Sequence, residues 1–119
     1  MRVLVTGGSG FIGSHVVDKL RARGPDPVIY DLRPSPWHGV GGNGVIDTVL
    51  GSITDREALE RALHSCDAVA HLAAVADVND VHASPEDAER VNARGTVAVL
   101  EAARRAGVKR IVYASTIWV

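Results

Sequence analysis

The chain has 119 residues, of which 46% are hydrophobic and 23% are charged. This balance predicts one globular domain with an apolar core and excludes disorder along the whole chain. Lysine and arginine number 13 against 14 aspartate and glutamate residues, for a net charge of -1. The chain therefore has no basic field with which to bind nucleic acid or an anionic membrane surface.

Cys66 is the only cysteine, which excludes an intrachain disulfide and a cysteine-rich zinc site. No histidine spacing indicates a metal site of another kind. A single cysteine favours a reducing, cytoplasmic setting. No apolar run approaches the ~20 residues of a membrane-spanning helix, and the first residues lack the apolar core and cleavage site of a signal peptide.

Short apolar runs alternate with segments of helical periodicity. Strands are predicted at residues 3–5, 28–31, 45–50, 68–72 and 111–113. Three helices are predicted: one at residues 10–23, one that begins at a capping box formed by Thr54 and Glu57, and one at residues 85–106. Loops are predicted at residues 33–44 and 76–84. Alternation of this kind predicts an α/β fold, a doubly wound parallel sheet of about five strands in the order 3-2-1-4-5, with helices on both faces.

A glycine-rich turn joins the first strand to the first helix. Gly8, Gly10 and Gly13 have the spacing G-x-G-x-x-G, and Gly7, Gly10 and Gly13 have the spacing G-x-x-G-x-x-G. With either spacing, the glycines permit a sharp turn, admit a pyrophosphate to the backbone and pack the helix closely, while the helix N-terminus offers N–H groups. Ser14 stands where a nucleotide-hydrolase phosphate loop requires lysine, which excludes that motif.

Asp31 ends the second strand, roughly 20 residues after the glycine turn, as dinucleotide-binding sequences require. A carboxylate there can accept hydrogen bonds from both ribose hydroxyls of an adenosine, and it repels a 2'-phosphate. The sequence therefore predicts NAD rather than NADP as the ligand, a preference that the nearby Arg33 weakens. Trp37, in the loop that follows, is a candidate cover for adenine or a hydrophobic anchor.

Five motifs follow one another along the chain: residues 5–15 (VTGGSGFIGSH), 30–31 (YD), 71–74 (HLAA), 91–96 (VNARGT) and 112–116 (VYAST). Over its whole length the sequence resembles the extended short-chain dehydrogenase/reductase family, in its NAD-dependent epimerase/dehydratase branch. The resemblance implies a Rossmann-type fold, NAD as cofactor and, in a full-length form, a nucleotide sugar as a further partner.

The resemblance also implies roles for particular residues. Phe11 and Ile12 match the main-chain donors to the pyrophosphate. Leu72, Ala73 and Ala74 match the segment that lines the cofactor near its nicotinamide-side ribose.

Two polar residues have roles that only the resemblance implies. Asn92 matches an asparagine that steadies the central strands near the cofactor. Thr116 matches the Ser/Thr that binds the substrate oxygen undergoing hydride chemistry. One departure is that Ser52 follows Gly51 where the family often has an aspartate that contacts adenine. We interpret the later Asp55, which lies in a capping context, as structural.

The family's catalytic motif, Tyr-x-x-x-Lys, is absent from the chain. Four residues after Tyr30 and Tyr113 come Pro34 and Ile117. We therefore expect residues 1–119 to form one NAD(P)-binding domain, truncated before the catalytic pair and the substrate-binding region, and inactive alone. The alternative is a non-catalytic dinucleotide-binding or self-assembling module. An unpaired fifth strand predicts a homo-oligomer in either case.

Overall fold

A five-stranded parallel sheet forms the centre of the computed structural model, which describes residues 1–38 and 45–117. The strands are β1 (Arg2–Thr6), β2 (Asp26–Asp31), β3 (Asp47–Leu50), β4 (Ala68–His71) and β5 (Arg110–Tyr113). Their spatial order is β3-β2-β1-β4-β5, and every neighbouring pair is parallel. The predicted fold class and strand order are confirmed. Residues 39–44 of the predicted loop and residues 118–119 lie outside the described residues.

Helices cover both faces of the sheet. They are α1 (Phe11–Arg23), α2 (Arg56–Leu63), α3 (Val78–Ala83), α4 (Pro85–Glu89) and α5 (Thr96–Arg105), with a π-helical turn at Arg90–Gly95 between α4 and α5. α1 buries Val17 against Val5 and Ile29 on one face. α2 and α5 bury Leu59 and Val99 on the other, since each helix has one apolar side. Among the described residues, no helix has the length and apolar character needed to cross a membrane.

The capping box predicted at the start of α2 is wrong. Asp55 is the cap, and its carboxylate accepts a hydrogen bond from the N–H of Ala58 at 3.1 Å. The Thr54 hydroxyl instead pairs with the hydroxyl of Ser52 at 2.7 Å, so it does not cap the helix as its expected pairing with Glu57 requires. The structural interpretation of Asp55 is confirmed.

The region 76–106 departs from the prediction at two places. Helix α3 replaces part of the predicted loop, because the Asp77 side chain caps its first turn. The predicted helix 85–106 is interrupted by the π-helical turn, at which a Cβ on Gly95 would lie 2.5 Å from the Cδ1 of Ile53. Neither feature has a periodicity in the sequence that would distinguish it from its surroundings.

A chain of hydrogen bonds ties the carboxyl ends of β1 and β4 to the helical layer. The N–H groups of Leu72 and Ala73 donate to Thr6 Oγ1, so the Thr6 hydroxyl donates its own proton to His71 Nδ1 at 2.6 Å. The Nε2–H of His71 then donates to Thr96 Oγ1 at 2.9 Å. The Thr96 hydroxyl in turn donates a hydrogen bond to a main-chain carbonyl of the π-helical turn. His71 is therefore neutral and has both ring nitrogens satisfied.

Burial lowers the pKa of His71 below its ordinary value. In the unfolded chain a histidine titrates near ~6.5, so between the lowered pKa and that value the unfolded state binds more protons than the folded state. Stability therefore rises with pH through this window. The contribution of neutral His71 is complete above the unfolded pKa and is lost as the pH falls toward the folded pKa.

Replacement of His71 is expected to change the pH dependence of folding. His71→Gln should lower the free energy of unfolding at pH 7.5 by about 1–3 kcal/mol, because it leaves buried polar groups unpaired. It should also flatten the loss of stability between pH 7 and pH 5, because glutamine does not titrate. Denaturant unfolding at several pH values measures both effects. His64→Gln, at the exposed His64, is the control, and an unchanged pH slope in His71→Gln would contradict the prediction.

Candidate functional site

A cleft of about 690 Å³ opens at the carboxyl edge of the sheet. It lies where the chain leaves β1, β2 and β4, at the point where the strand order reverses, which is where open α/β sheets bind ligands. Most of the residues that were predicted to bind a cofactor line this cleft: Gly7, Gly10, Asp31, Leu72, Ala73 and Ala74.

The glycine turn brings the start of α1 against the end of β1. Gly7 has a φ of +73°, and a Cβ there would lie 2.9 Å from the main-chain nitrogen of Ala73. A Cβ on Gly13 would lie only 2.0 Å from the carbonyl oxygen of Gly7. The N–H of Gly10 donates to that same carbonyl at 3.0 Å. Side chains are therefore excluded at Gly7 and Gly13, and Gly7 presents only main chain to the cleft that it lines.

The first turn of α1 presents main-chain groups rather than side chains. Gly10 is the N-cap, has no side chain with which to cap the helix, and is followed by a first turn without an acidic residue. Phe11 and Ile12 are 73% and 65% exposed, and neither residue is among the described residues that line the cleft. What this turn offers to a ligand is its N–H groups at the positive end of the helix dipole.

The Asp31 carboxylate lies beside the glycine turn. Its Oδ2 accepts a hydrogen bond from the N–H of Ser9 at 3.1 Å, and its Oδ1 accepts one from the N–H of Arg33 at 3.3 Å. The Ser9 hydroxyl donates to the carbonyl of Arg33 at 2.7 Å. Each carboxylate oxygen keeps a further lone pair for a ligand. Asp31 and the turn thus occupy the same edge, as their spacing predicted.

The segment that follows β4 is held at both ends. Thr6 accepts the hydrogen bonds from Leu72 and Ala73 described above. At the other end, Asn92 accepts from the N–H of Val75 at 2.8 Å and donates to its carbonyl at 3.0 Å. Asn92 is therefore directed at the cleft segment and not at solvent.

Tyr30 is a cleft residue that the sequence analysis did not predict. Its ring is fully buried, and its hydroxyl donates to the carbonyl of Ser52 at 2.8 Å. Burial raises the pKa of Tyr30 to about 12, so the phenol stays neutral and serves to hold the chain after β3. A Cβ on Gly51 would lie 2.6 Å from that phenol oxygen, which explains a glycine at this position.

Other lining residues were missed because they carry no chemical signal in the sequence. They are mainly apolar: Leu32, Pro34, Pro36, Ile53, Val75 and Val91. Ser52 also lines the cleft, and its hydroxyl is bonded to Thr54. Gly51 and Ser52 follow β3 at the same edge as Asp31 and line the cleft, at the position where the resemblance implies an aspartate in contact with adenine.

Thr116, the predicted catalytic residue, is not among the described residues that line the cleft. It is exposed and follows β5, whose last residue, Tyr113, is paired in register with His71. Thr116 is therefore beyond the same carboxyl edge of the sheet. Over residues 1–38 and 45–117, no three His, Cys, Asp or Glu side chains come together as metal ligands would.

Comparisons with known proteins agree with this geometry. The family model "NAD dependent epimerase/dehydratase family" matches residues 3–119. A 3-beta-hydroxysteroid dehydrogenase of Mycolicibacterium neoaurum is 36% identical over 97% of this chain and 32% of its own length. A UDP-glucose 4-epimerase of Rhizobium meliloti is 36% identical over 96% of this chain and 35% of its own length.

A solved structure extends the likeness to the fold. The UDP-glucose 4-epimerase of Thermus thermophilus, crystallised in complex with NAD, is 39% identical with a TM-score of 0.85, over 98% of this chain and 38% of that one. The chain thus spans about a third of the length of the relatives that it matches. Because the family model covers nearly every residue, and the sheet order and glycine turn agree with it, this chain belongs to the NAD-dependent epimerase/dehydratase family.

Proposed function

We propose that this chain binds NAD in the cleft at the carboxyl edge of the sheet. The observation that carries the proposal is the close packing of Gly13 on the Gly7 carbonyl, which sets the uncapped start of α1 at Gly10 against the end of β1, where Gly7 and Gly10 line the cleft. An anion fits beside the uncapped start of α1 for the reasons that make helix N-termini bind phosphates. The NAD bound in the related Thermus epimerase structure supports this choice of ligand.

Different residues of the cleft region would bind different parts of NAD. The N–H groups of Phe11 and Ile12 would bind the pyrophosphate, Asp31 would accept hydrogen bonds from the adenosine ribose, and residues 72–74 would line the nicotinamide side. The absence of side chains at Gly7, Gly10 and Gly13 would leave room for the pyrophosphate to approach the turn. When bound, NAD supplies a hydride acceptor. We also propose the cytoplasm as the compartment of this chain, because a single buried cysteine is typical of proteins in reducing compartments.

Asp31 should favour NAD over NADP, because its carboxylate would oppose a 2'-phosphate. In calorimetric titrations we expect the wild-type chain to bind NAD more tightly than NADP. Asp31→Asn should bind NAD roughly tenfold more weakly, since a hydrogen bond to a charged group is lost. The variant should also have a smaller difference in affinity between NAD and NADP than the wild-type chain.

Asp80→Asn is the matched control, because Asp80 is exposed on α3 outside the cleft. It should keep the wild-type affinity. No binding of NAD by the wild-type chain would contradict the proposed function, whereas equal NAD affinity in Asp31→Asn would contradict only the role of Asp31.

We further propose that these residues are the dinucleotide-binding part of a nucleotide-sugar epimerase or dehydratase. The chain has no Tyr-x-x-x-Lys, and it spans about a third of the related enzymes. In this proposal Thr116 orients the substrate oxygen, and the catalytic tyrosine, the lysine and the substrate-binding region belong to residues beyond these 119.

The 119-residue chain should therefore show no turnover. Neither of its tyrosines has a lysine four residues later, since Pro34 and Ile117 occupy those positions, and burial raises the pKa of Tyr30 to about 12. Chromatography of UDP-glucose and dTDP-glucose incubated with NAD and the purified chain tests this, with the Thermus epimerase as positive control for UDP-glucose. Product above the protein-free background would contradict it.

A second function, self-association, is favoured by the exposed edge of the sheet. In the described part of the chain β5 pairs only with β4, and its Val112 and Tyr113 are 60% and 58% exposed. Edge strands of this kind invite pairing with another chain. Light scattering should find a homodimer or larger species, and Val112→Lys should shift it toward the monomer. A wild-type monomer at high concentration would contradict this.

A further inference from the structure

One wall of the cleft is the segment that follows β2. The side chains of Pro36 and Trp37 line the cleft there, and Trp37 is 58% exposed. The segment comes directly after Asp31, the residue that we propose for the adenosine ribose. A base attached to that ribose would therefore meet an apolar and aromatic surface.

The segment is anchored to α1 through His38, which is only 8% exposed. His38 Nε2 lies 2.9 Å from the Asp18 carboxylate on α1, and its Nδ1 lies 2.9 Å from Ser35 Oγ. Ser35 Oγ also accepts hydrogen bonds from the N–H groups of Trp37 and His38, each at 3.2 Å. With those lone pairs occupied, the Ser35 hydroxyl donates to His38, and His38 donates to Asp18.

These residue types occur in hydrolase triads, but their arrangement here excludes that chemistry. A triad needs a serine hydroxyl open to substrate, with no structural duty. Ser35 is only 8% exposed, and its oxygen caps two main-chain N–H groups of its own turn. The set therefore holds the chain in place. At its other end the segment is joined to the glycine turn by the hydrogen bond that the Ser9 hydroxyl donates to the Arg33 carbonyl.

We propose that Asp18, His38 and Ser35 are positioning residues that hold Trp37 and Pro36 as a preformed wall for the purine base of the ligand. The inference rests on the proposed binding of a dinucleotide in this cleft. A flat base packs favourably on an indole ring. A wall that is already fixed before binding saves the entropy of ordering the loop at that moment. Proline at positions 34 and 36 restricts the segment further.

Tryptophan fluorescence makes the wall directly observable, because the chain has only two tryptophans. In a Trp118→Phe background Trp37 is the sole tryptophan emitter. Addition of NAD should change its emission, and ADP-ribose, which retains the adenosine half, should change it equally. Nicotinamide mononucleotide, which lacks adenine, should leave the emission unchanged.

The anchor is tested in the same background with Asp18→Ala, which removes the acceptor at a side chain that is 62% exposed, and with His38→Ala. Each should weaken NAD and ADP-ribose binding roughly three- to tenfold, and the double variant should lose no more than either single one. Asp18→Asn retains an acceptor oxygen and should keep the wild-type affinity. Calorimetric stoichiometry separates a lower affinity from a smaller folded fraction, and His64→Ala, at the exposed end of α2, is the control.

The outcomes distinguish the two proposals. If the wild-type chain binds NAD but Trp37 does not respond, or Asp18→Ala binds as tightly as wild type, the inference is overturned and the proposed function stands. If the wild-type chain does not bind NAD, both are overturned. A Trp37 response with weaker binding in Asp18→Ala and rescue in Asp18→Asn supports both.

Discussion

The cleft depends on one close approach of main chain to main chain. The Gly7 carbonyl lies where a side chain on Gly13 would begin, since a Cβ there would be 2.0 Å from the oxygen. This contact sets the start of α1 beside the end of β1, so that Gly10, the N-cap of the helix, lines the cleft. The same turn brings Ser9 to the Asp31 carboxylate and Gly7 to the chain leaving β4. Three strand ends thereby meet around one space.

Polar side chains then hold the rim of that space. Thr6 and His71 fix the start of the segment after β4, and Asn92 fixes its end at Val75. A buried polar network is costly unless its members are paired, and rigid when they are. The glycines therefore provide room for a ligand, whereas the network provides a wall of fixed position.

Membership of the family does not by itself name a substrate for this chain. Relatives named for a hydroxysteroid and for a nucleotide sugar are equally similar to this chain, at 36% identity each. Those enzymes share the region that corresponds to these residues, so it carries what they have in common. Reaction and substrate are decided by particular sites grafted on the shared fold.

The sequence by itself determined the sheet, the glycine turn and Asp31, because strand runs, glycine spacing and a strand-end carboxylate are local patterns with one physical reading. Its prediction of a capping box at Thr54 is wrong, because Thr54 is diverted by a neighbour, Ser52, that only the folded loop brings within reach. The sequence also did not reveal the π-helical turn or the apolar residues of the cleft, whose positions depend on contacts between segments far apart in the chain. Tertiary structure alone decided that Asn92 binds Val75 and that His38 joins the loop to α1, because a polar side chain acquires its partner only when packing excludes water as the alternative.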